Sequence, residues 1–541
     1  MRFLFFIFCV SLSQWLCAQS IQETLGAVNS AYDEQNPVLS PDGKVLYFTV
    51  SNHPANVGGK RDPGDIWFSR KEAAGWSSPV HGGPVLNDKS YNAVAGFSAD
   101  GDQIFLHGHY SSTHLPAKTQ GIAVSRSSAS GWLPPENIVI PYFTNKSNIL
   151  CGSLSTDNSI FVFSAESYGT VGVDDIYVSL KKAGKWTEPR NLGKAINTQF
   201  QELSPSLSED NLTLFFSSNG RKGLGSFDIY SSKRLDDTWT HWSAPLNLGP
   251  DVNSEGRELF YHYYPDAGFA LLTTTKSSDG YGDVRVNIQR PPEIILVDDT
   301  IISANVATDQ QESVAGPSME QKLIPEANSE KTMSEKLSAS PEIRVYGKIT
   351  NAKTGEVIPA RMSFEGSDSG RRTLVSDEDG YTLGVESMRY TIRIEASGFI
   401  SALEKIDINA LEMRDVEMNF KLQPVELGTT VNLKNVLFAQ AKTEILPESY
   451  SELDLVVNFL KENPSVRIEL MGHTDGRGVH ADNVKLSQQR VNKVKEYLVS
   501  RGIESRRITG KGFGGSRPIA SNDLEESRRM NRRVEFVIKK F

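Results

Sequence analysis

LSPDGKVLYF at 39–48, FSADGDQIFL at 97–106, LSTDNSIFVF at 154–163 and LSEDNLTLFF at 207–216 are four copies of one phrase, and YYPDAGFALL at 263–272 is a degenerate fifth. Each runs through a polar turn into an apolar stretch. The turn aspartates Asp42, Asp100, Asp157, Asp210 and Asp266 stand 58, 57, 53 and 56 residues apart, and a sustained period of this length marks a repeat architecture. Each of the first four copies is followed by a second run: DIWFS at 65–69, IAVS at 122–125, DIYVS at 175–179 and DIYSS at 228–232. Next come Trp-containing turns such as GWSSP at 75–79 and KWTEP at 185–189, then NLGKAIN at 191–197 or NLGPDVN at 247–253. Three or four short strands per unit, parted by Asp, Gly-Trp and Pro turns, is the pattern of a propeller blade. Five units predict five blades.

The N-terminal stretch LGAVNSAYDEQNP at 25–37 is similar to LGKAINTQFQELSP at 192–205, and the fifth unit stops after VRVNI at 284–288. The N-terminal stretch is therefore expected to complete the last blade, a circular closure that shields sheet edges. The units resemble the WD-like repeats of TolB-type propellers through the Ser-Pro-Asp-Gly turn and the Asp-Ile-Tyr strand. A membrane barrel fits poorly, because its strands need about 9 to 11 residues of alternating polarity, whereas LYFTV, IFVF and LTLFF are short and almost continuously apolar.

The chain has 541 residues, which predicts several domains. Its 57 Lys plus Arg against 66 Asp plus Glu give a net charge of −9, which argues against nucleic acid as partner of the whole chain. MRFLFFIFCVSLSQWLCA at 1–18 has a basic residue before an apolar run that ends in small and polar residues, the layout of a secretory signal peptide cleaved near Ala18. Lipidation at Cys17 is the alternative, disfavoured by Leu16 before it. Either way the expected compartment is the periplasm, in association with the outer membrane and cell wall. Cys151 is left without a partner in the mature chain and reads as a small buried hydrophobe.

Residues 291–341 are rich in Ser, Glu, Ala and Pro and contain no aromatic residue, so a flexible linker is expected. The short run EIILV within them is a candidate to pack on a neighbour. From 342 to 423 the runs VYGKI, RMSFE, YTLGV, YTIRIEA and MNFKL predict a small antiparallel β-sandwich. VYGKITNAKTGEVIPA and VSDEDGYTL resemble the carboxypeptidase regulatory-like domain. Asp377, Glu378 and Asp379 before Gly380 read as a hairpin turn in preference to a calcium loop.

The last part, 424–541, alternates strands and helices: VLFA, then PESYSELDLVVNFLKENP, VRIELMG, NVKLSQQRVNKVKEYLVSRG, RITGKGFG and RRVEFVIKK. From 431 onward, 20 Lys plus Arg face 14 Asp plus Glu, a basic module inside an acidic chain that points to an anionic polymer as partner. Val484, Val491, Val494 and Leu498 recur at helical spacing as a buried stripe, and Gly502 stands at the helix's C-terminal cap. Asp475 follows a strand, and Arg490 lies one position off the stripe. Both can face a cleft at the strand's C-terminal end, where a carboxylate takes an ammonium and a guanidinium fork takes a carboxylate.

GHTDGRGVHADNVKLSQQR, with VLFAQAKTEILPES before it and RPIASNDLEESRRMNRRVEFVI after it, resembles the OmpA C-terminal peptidoglycan-binding domain over about 110 residues. That resemblance implies an α/β domain that binds the diaminopimelate of the stem peptide. Its motif positions fall on Asp475 and on Arg490 fifteen residues later, with Thr474, Asn483, Leu486 and Ser487 around them. Arg532 and Arg533 are further candidates, as ligand-facing charges or as folding residues. Val491 departs from the family, where Ala is usual.

Other signals are weaker. Gly510, Gly512 and Gly515 spell GxGxxG, but Pro518 stands where a helix would open, so they are expected in a loop and not at a dinucleotide. His107, His109 and His114 lack a carboxylate or cysteine ligand signature for zinc. There is no GxSxG, HExxH or CxxC. The expected molecule is multidomain: signal peptide 1–18, five-bladed all-β propeller 19–290, linker 291–341, regulatory-like β-sandwich 342–423 and OmpA-like α/β domain 424–541. It is read as non-enzymatic, with no cofactor and no metal. It binds peptidoglycan and presents the propeller to outer-membrane or periplasmic proteins. The domain order resembles envelope proteins of Bacteroidetes-type bacteria, which implies an anchor or adaptor of a secretion or motility assembly. The alternative is a propeller that binds or hydrolyses a glycan or peptide.

Overall fold

In the computed structural model, residues 25–540 are described except for 305–342, short stretches at 112–116, 289–290, 298–299, 367–369, 409–414, 434–435 and 439–441, and some single positions. The signal segment with Cys17 and Ala18, most of the 291–341 linker, and His114 lie outside the described residues.

Between Asp33 and Asn287 the chain forms five antiparallel sheets in succession, each strand pairing mainly with the one before it. The quoted turn phrases join the first and second strands of each sheet. The Ser40 hydroxyl donates to Asp42 Oδ1 at 2.7 Å and accepts the Val45 N–H at 2.9 Å. Ser98 with Asp100, Ser155 with Asp157 and Ser208 with Asp210 repeat the device, in which a short polar side chain satisfies turn amides that the ladder cannot reach. The second strands Val45–Ser51, Ile160–Ala165 and Thr213–Ser218 are buried nearly throughout. A strand covered on both faces carries a continuous apolar run.

The first strands of the sheets are Asp33–Leu39, Val94–Phe97, Cys151–Leu154, Glu202–Leu207 and Glu258–Tyr264. Each lies against the next, and the fifth lies against the first. Leu25 and Val28 enter one apolar cluster with Leu46, Phe48, Leu271 and Val284, so the N-terminal stretch joins the first and fifth sheets. It does so without adding a strand: the fifth sheet has three, whereas its predecessors have four or five. The link is a side-chain bracket. Asn29 Oδ1 accepts the Val284 N–H and Asn29 Nδ2 donates to the Val284 carbonyl. Asn87 brackets Ile66, Asn197 brackets Ile176 and Asn253 brackets Ile229 in the same way. Cys151 is buried, its Sγ accepting the Ser204 N–H.

Glu293–Val297 and Thr300–Ala304 form a hairpin, so the expected linker is structured at its start. EIILV finds its pairing partner a few residues on. From Ile343 to Leu422 a four-stranded antiparallel sheet faces strands that include two parallel pairs, Ile343–Gly347 with Asp415–Glu417 and Ile349–Asn351 with Phe420–Leu422. The all-antiparallel expectation fails there because the chain returns from the four-stranded sheet before it pairs, and alternation of polarity does not encode direction. Asp377 Oδ1 accepts the Asp379 and Gly380 N–H groups, closing a turn.

The C-terminal region contains β1 (Thr430–Asn432), α1 (Tyr450–Glu462), β2 (Arg467–His473), α2 (His480–Ser500), β3 (Ile508–Gly514), α3 (Glu525–Asn531) and β4 (Val534–Lys540), with sheet order β1-β4-β2-β3. β2 and β3 are parallel and the other pairs antiparallel. The strand expected at VLFA is displaced to β1. Of that run Val436 is buried, Phe438 makes an isolated bridge to Ile445, and 437 and 439 lie outside the described residues. An apolar run can fill a core as a coil as well as in a sheet.

The stripe of α2 is Ser487, Val491, Val494 and Leu498, with Val484 only half buried. Gly510 and Gly512 belong to β3 and not to a loop. A Cβ on Gly512 would stand 2.4 Å from Gln488 N, and one on Gly510 would stand 2.3 Å from Val491 Cγ1. Their glycines let α2 lie directly on the strand. Among the described residues no helix is long and apolar enough to cross a membrane.

Candidate functional site

The parallel strands β2 and β3 end side by side, and the loop after β2 carries Thr474 and Asp475. Thr474 donates its N–H to the Gly514 carbonyl at 3.0 Å, which pins the start of that loop to the end of β3. Asp475 Oδ1 accepts the Arg477 N–H at 3.1 Å, and Oδ2 accepts from Arg532 Nη1 at 2.8 Å. Asn483, near the start of α2, donates to the Arg477 carbonyl at 2.7 Å and to the Asp475 carbonyl at 3.4 Å. It holds the loop's backbone.

Arg490 lies on the same side of α2 as the stripe and is 6% exposed. Its Nε donates to the Lys442 carbonyl at 3.1 Å, and its guanidinium carbon lies 4.9 Å from the centre of the Phe438 ring. Burial and the neighbouring Arg532 pull its pKa down, against the opposing field of Asp475. A cation held this way gains from an arriving anion.

The two further arginines have separate roles. Arg532 bridges Asp475 and Glu525, the second at 2.7 Å. Burial works against its charge, and the bonds to the two carboxylates more than restore it, leaving its pKa raised. Arg533 pairs with Glu535 at 2.7 Å and is 9% exposed at its side chain, which is a folding role. Ser487 is fully buried, donating to the Val484 carbonyl and accepting the Gly514 N–H at 2.9 Å each. It joins α2 to β3 and does not enter the cleft. Leu486 is half buried on α2.

Sequence reasoning missed Asn522, whose Oδ1 accepts the Gly476 N–H at 2.6 Å, and Glu525. Neither has a spacing relation to Asp475 that a pattern could expose. It also missed Phe438 as the surface beneath Arg490. Of the three histidines, His107 Nε2 meets the Gly152 carbonyl and His109 meets Thr119 and the Ile138 carbonyl, while His114 lies outside the described residues. Among the described residues no group of three or more His, Cys, Asp or Glu is placed to hold a metal.

Residues 437–532, which contain Asp475, Arg490, Arg532 and the residues they bond, match the OmpA family. The C-terminal domain is an OmpA family domain. The chain is 43% identical over 112 residues to outer membrane porin F of Pseudomonas fluorescens, covering 21% of this chain and 34% of that protein. It is 32% identical over 136 residues to the probable lipoprotein YiaD of Escherichia coli, covering 25% and 62%. It is 39% identical over 103 residues to the peptidoglycan-binding protein ArfA of Mycobacterium tuberculosis, covering 19% and 32%. The chain thus spans between about a third and three fifths of these relatives. What is shared is the OmpA family domain.

Proposed function

We propose that this chain is a non-catalytic cell-envelope anchor whose OmpA family domain, over 424–541, grips the diaminopimelate of peptidoglycan stem peptides. The observation that carries the reading is an acid and an arginine, both largely buried, that feel each other's charge at the end of the parallel strands. Asp475 is held on a loop at the strand ends, and Arg490 is buried over Phe438 behind it. Diaminopimelate carries an ammonium next to a carboxylate. Asp475 takes the ammonium by sharing the carboxylate that Arg532 now occupies, and Arg490 takes the carboxylate. Charge-assisted bonds worth about 1.5 to 3 kcal/mol each give a modest site affinity, which a polymeric wall multiplies. The peptidoglycan-binding name of the mycobacterial relative supports the same ligand.

The five sheets are read as a closed five-bladed propeller over 19–290, supported by the fifth-to-first strand contact and the Asn29 bracket. With the regulatory-like sandwich of 342–423, it presents a surface to outer-membrane or periplasmic proteins. An exported chain with a signal peptide ending near Ala18 places the anchor in the periplasm. The alternative of a hydrolytic propeller draws on acids that burial pushes upward, Glu34 and Glu202 to about 7. Both are almost wholly buried and saturated with local donors, which favours a structural role.

The test is co-sedimentation of the full chain with purified sacculi, for wild type, Asp475→Ala and Arg490→Ala, with free diaminopimelate as competitor. Wild type should pellet, and each variant or the competitor should release it. A wild type that stays in the supernatant, or variants that pellet as well as it does, would sink the reading.

A further inference from the structure

The loop that positions Asp475 also bonds outside its own domain. Glu188 lies in the third sheet of the repeat region, between the short strands Lys185–Trp186 and Arg190–Asn191. Its Oε2 accepts the Ser521 N–H at 2.8 Å, and its Oε1 accepts the Ser521 hydroxyl and, at 3.1 Å, the Ser527 hydroxyl. One carboxylate thus takes three donors from one seven-residue stretch, an arrangement that suits an acceptor-only ion. A second contact lies alongside: a Cβ on Gly169, in another loop of the same sheet, would stand 3.0 Å from Met530 Sδ.

The stretch held by Glu188 is the one that shapes the cleft. Asn522 next to Ser521 accepts the Gly476 N–H. Asn531 accepts the Ile519 N–H at 2.8 Å and donates to the Ala520 carbonyl at 2.8 Å, which closes 519–531 into one unit. Arg532 follows directly and bonds Asp475. From Glu188 to the Asp475 carboxylate the path runs through Ser521, whose carbonyl accepts from Asn531 at 3.3 Å, and then Arg532, next in the chain.

We propose that Glu188 is a positioning residue for the C-terminal cleft: the third sheet clasps the 519–532 loop and so orders the Asp475 turn and its Arg532 partner. The ligand part of this proposal rests on the peptidoglycan reading, and the ordering part does not. A loop held in its binding geometry before the ligand arrives loses less entropy on binding. The clasped state therefore binds more tightly, and by linkage the bound ligand strengthens the clasp by the same factor.

The experiment uses the full chain as wild type, Glu188→Ala, Glu188→Gln and Gly169→Leu, and reads two quantities. The first is amide hydrogen exchange at 475–478 and 519–532 without ligand; the second is the binding isotherm on sacculi. Glu188→Ala should speed exchange in both segments and weaken sacculus binding by about five- to tenfold. Glu188→Gln should fall between it and wild type, because the amide oxygen still accepts the serine hydroxyls while its NH2 opposes the Ser521 N–H. Gly169→Leu, which crowds Met530 from the other contact, should reproduce the loss without touching Glu188. Unchanged exchange in Glu188→Ala and Gly169→Leu would overturn the proposal, as would faster exchange with an unchanged isotherm. A wild type that does not bind sacculi defeats the peptidoglycan reading instead, and exchange at 475–478 then decides the positioning role alone.

Discussion

Two sets of acids sit in this molecule, and they behave in opposite ways. In the repeat region Glu202 and Glu258 begin first strands and Glu34 stands second in its own, and Glu202 and Glu258 are fully buried with Glu34 almost so. Each accepts an N–H and a hydroxyl from the residue four positions earlier: Ser30, Thr198 and Ser254. Asp475 occurs once, and its partner Arg532 belongs to a distant stretch of sequence. Burial raises Glu34 and Glu202 to about 7 and Asp175 and Asp228 to about 6. A perturbed acid is often a functional one. Here, repetition argues the reverse, since the same acid with the same local donors in three sheets is a device for closing turns.

The strongest way to break this comparison is Glu202→Ala. It leaves the Thr198 N–H and the Thr198 and Ser218 hydroxyls without their acceptor, which should cost about 3 kcal/mol of stability. Urea denaturation of the full chain should show the repeat region unfolding earlier, while the folded fraction binds sacculi as wild type does. A loss of binding without a loss of stability would make the buried acid functional and erase the distinction.

The next effect is pH dependence. An acid whose folded pKa exceeds its unfolded value binds its proton more tightly when folded, so its stabilisation is full below about 4.5 for Glu and is lost as the pH rises through about 7. Each unit of rise is worth about 1.4 kcal/mol. The repeat region should melt at progressively lower temperature between these limits, and Glu34→Gln with Glu202→Gln should flatten the slope. A melting temperature that climbs over that interval would mean that the local donors outweigh burial.

Asp475→Asn sharpens the other side. It keeps the shape but removes the charge that Arg532 and the ligand ammonium share. Sacculus affinity should fall by about tenfold, the loss of one charge-assisted bond, with a smaller change in thermal stability because Arg532 keeps Glu525 as its partner. Equal losses in both measurements would make Asp475 another structural acid.

Sequence and structure agree where side chains act on near neighbours. The Ser-x-Asp turns, the buried second strands and the α2 stripe all follow from bonds or periods spanning a few residues, and the repeats made the five sheets countable. Asp475 and Arg490 were singled out in the sequence by the motif that resembles the OmpA domain, and that they form the site is the proposal made above. Residues that act across the fold were not legible. Arg532 and Arg533 are adjacent and chemically identical, yet in the turn between α3 and β4 one reaches Asp475 and the other Glu535. Gly510 and Gly512 resembled a loop because nothing in their spacing says that a helix will lie on them. The VLFA run has strand composition, but its aromatic ring lies beneath Arg490.

The smallest effect concerns how the repeat closes. Asn87, Asn197 and Asn253 each bracket a third strand within their own sheet, about 20 residues away, whereas Asn29 brackets Val284 across 255 residues. The bonds are alike, so the cost in the folded state of removing any one of them should be alike, about 1 to 2 kcal/mol. The difference lies in what else holds the ends together. Asn197→Ala leaves its sheet joined by the chain itself, whereas Asn29→Ala leaves the first and fifth sheets joined by side-chain contacts such as Leu25 and Val28 and by a few bonds, among them those of Asp33 and Glu34 to Gly282 and of Leu39 to Tyr264. In hydrogen exchange, Asn197→Ala should therefore loosen its own turn, while Asn29→Ala should loosen the first and fifth sheets together. If Asn29→Ala affected only residues next to it, the N-terminal stretch would be an appendage and the closure would belong to the strand contact between Asp33–Leu39 and Glu258–Tyr264.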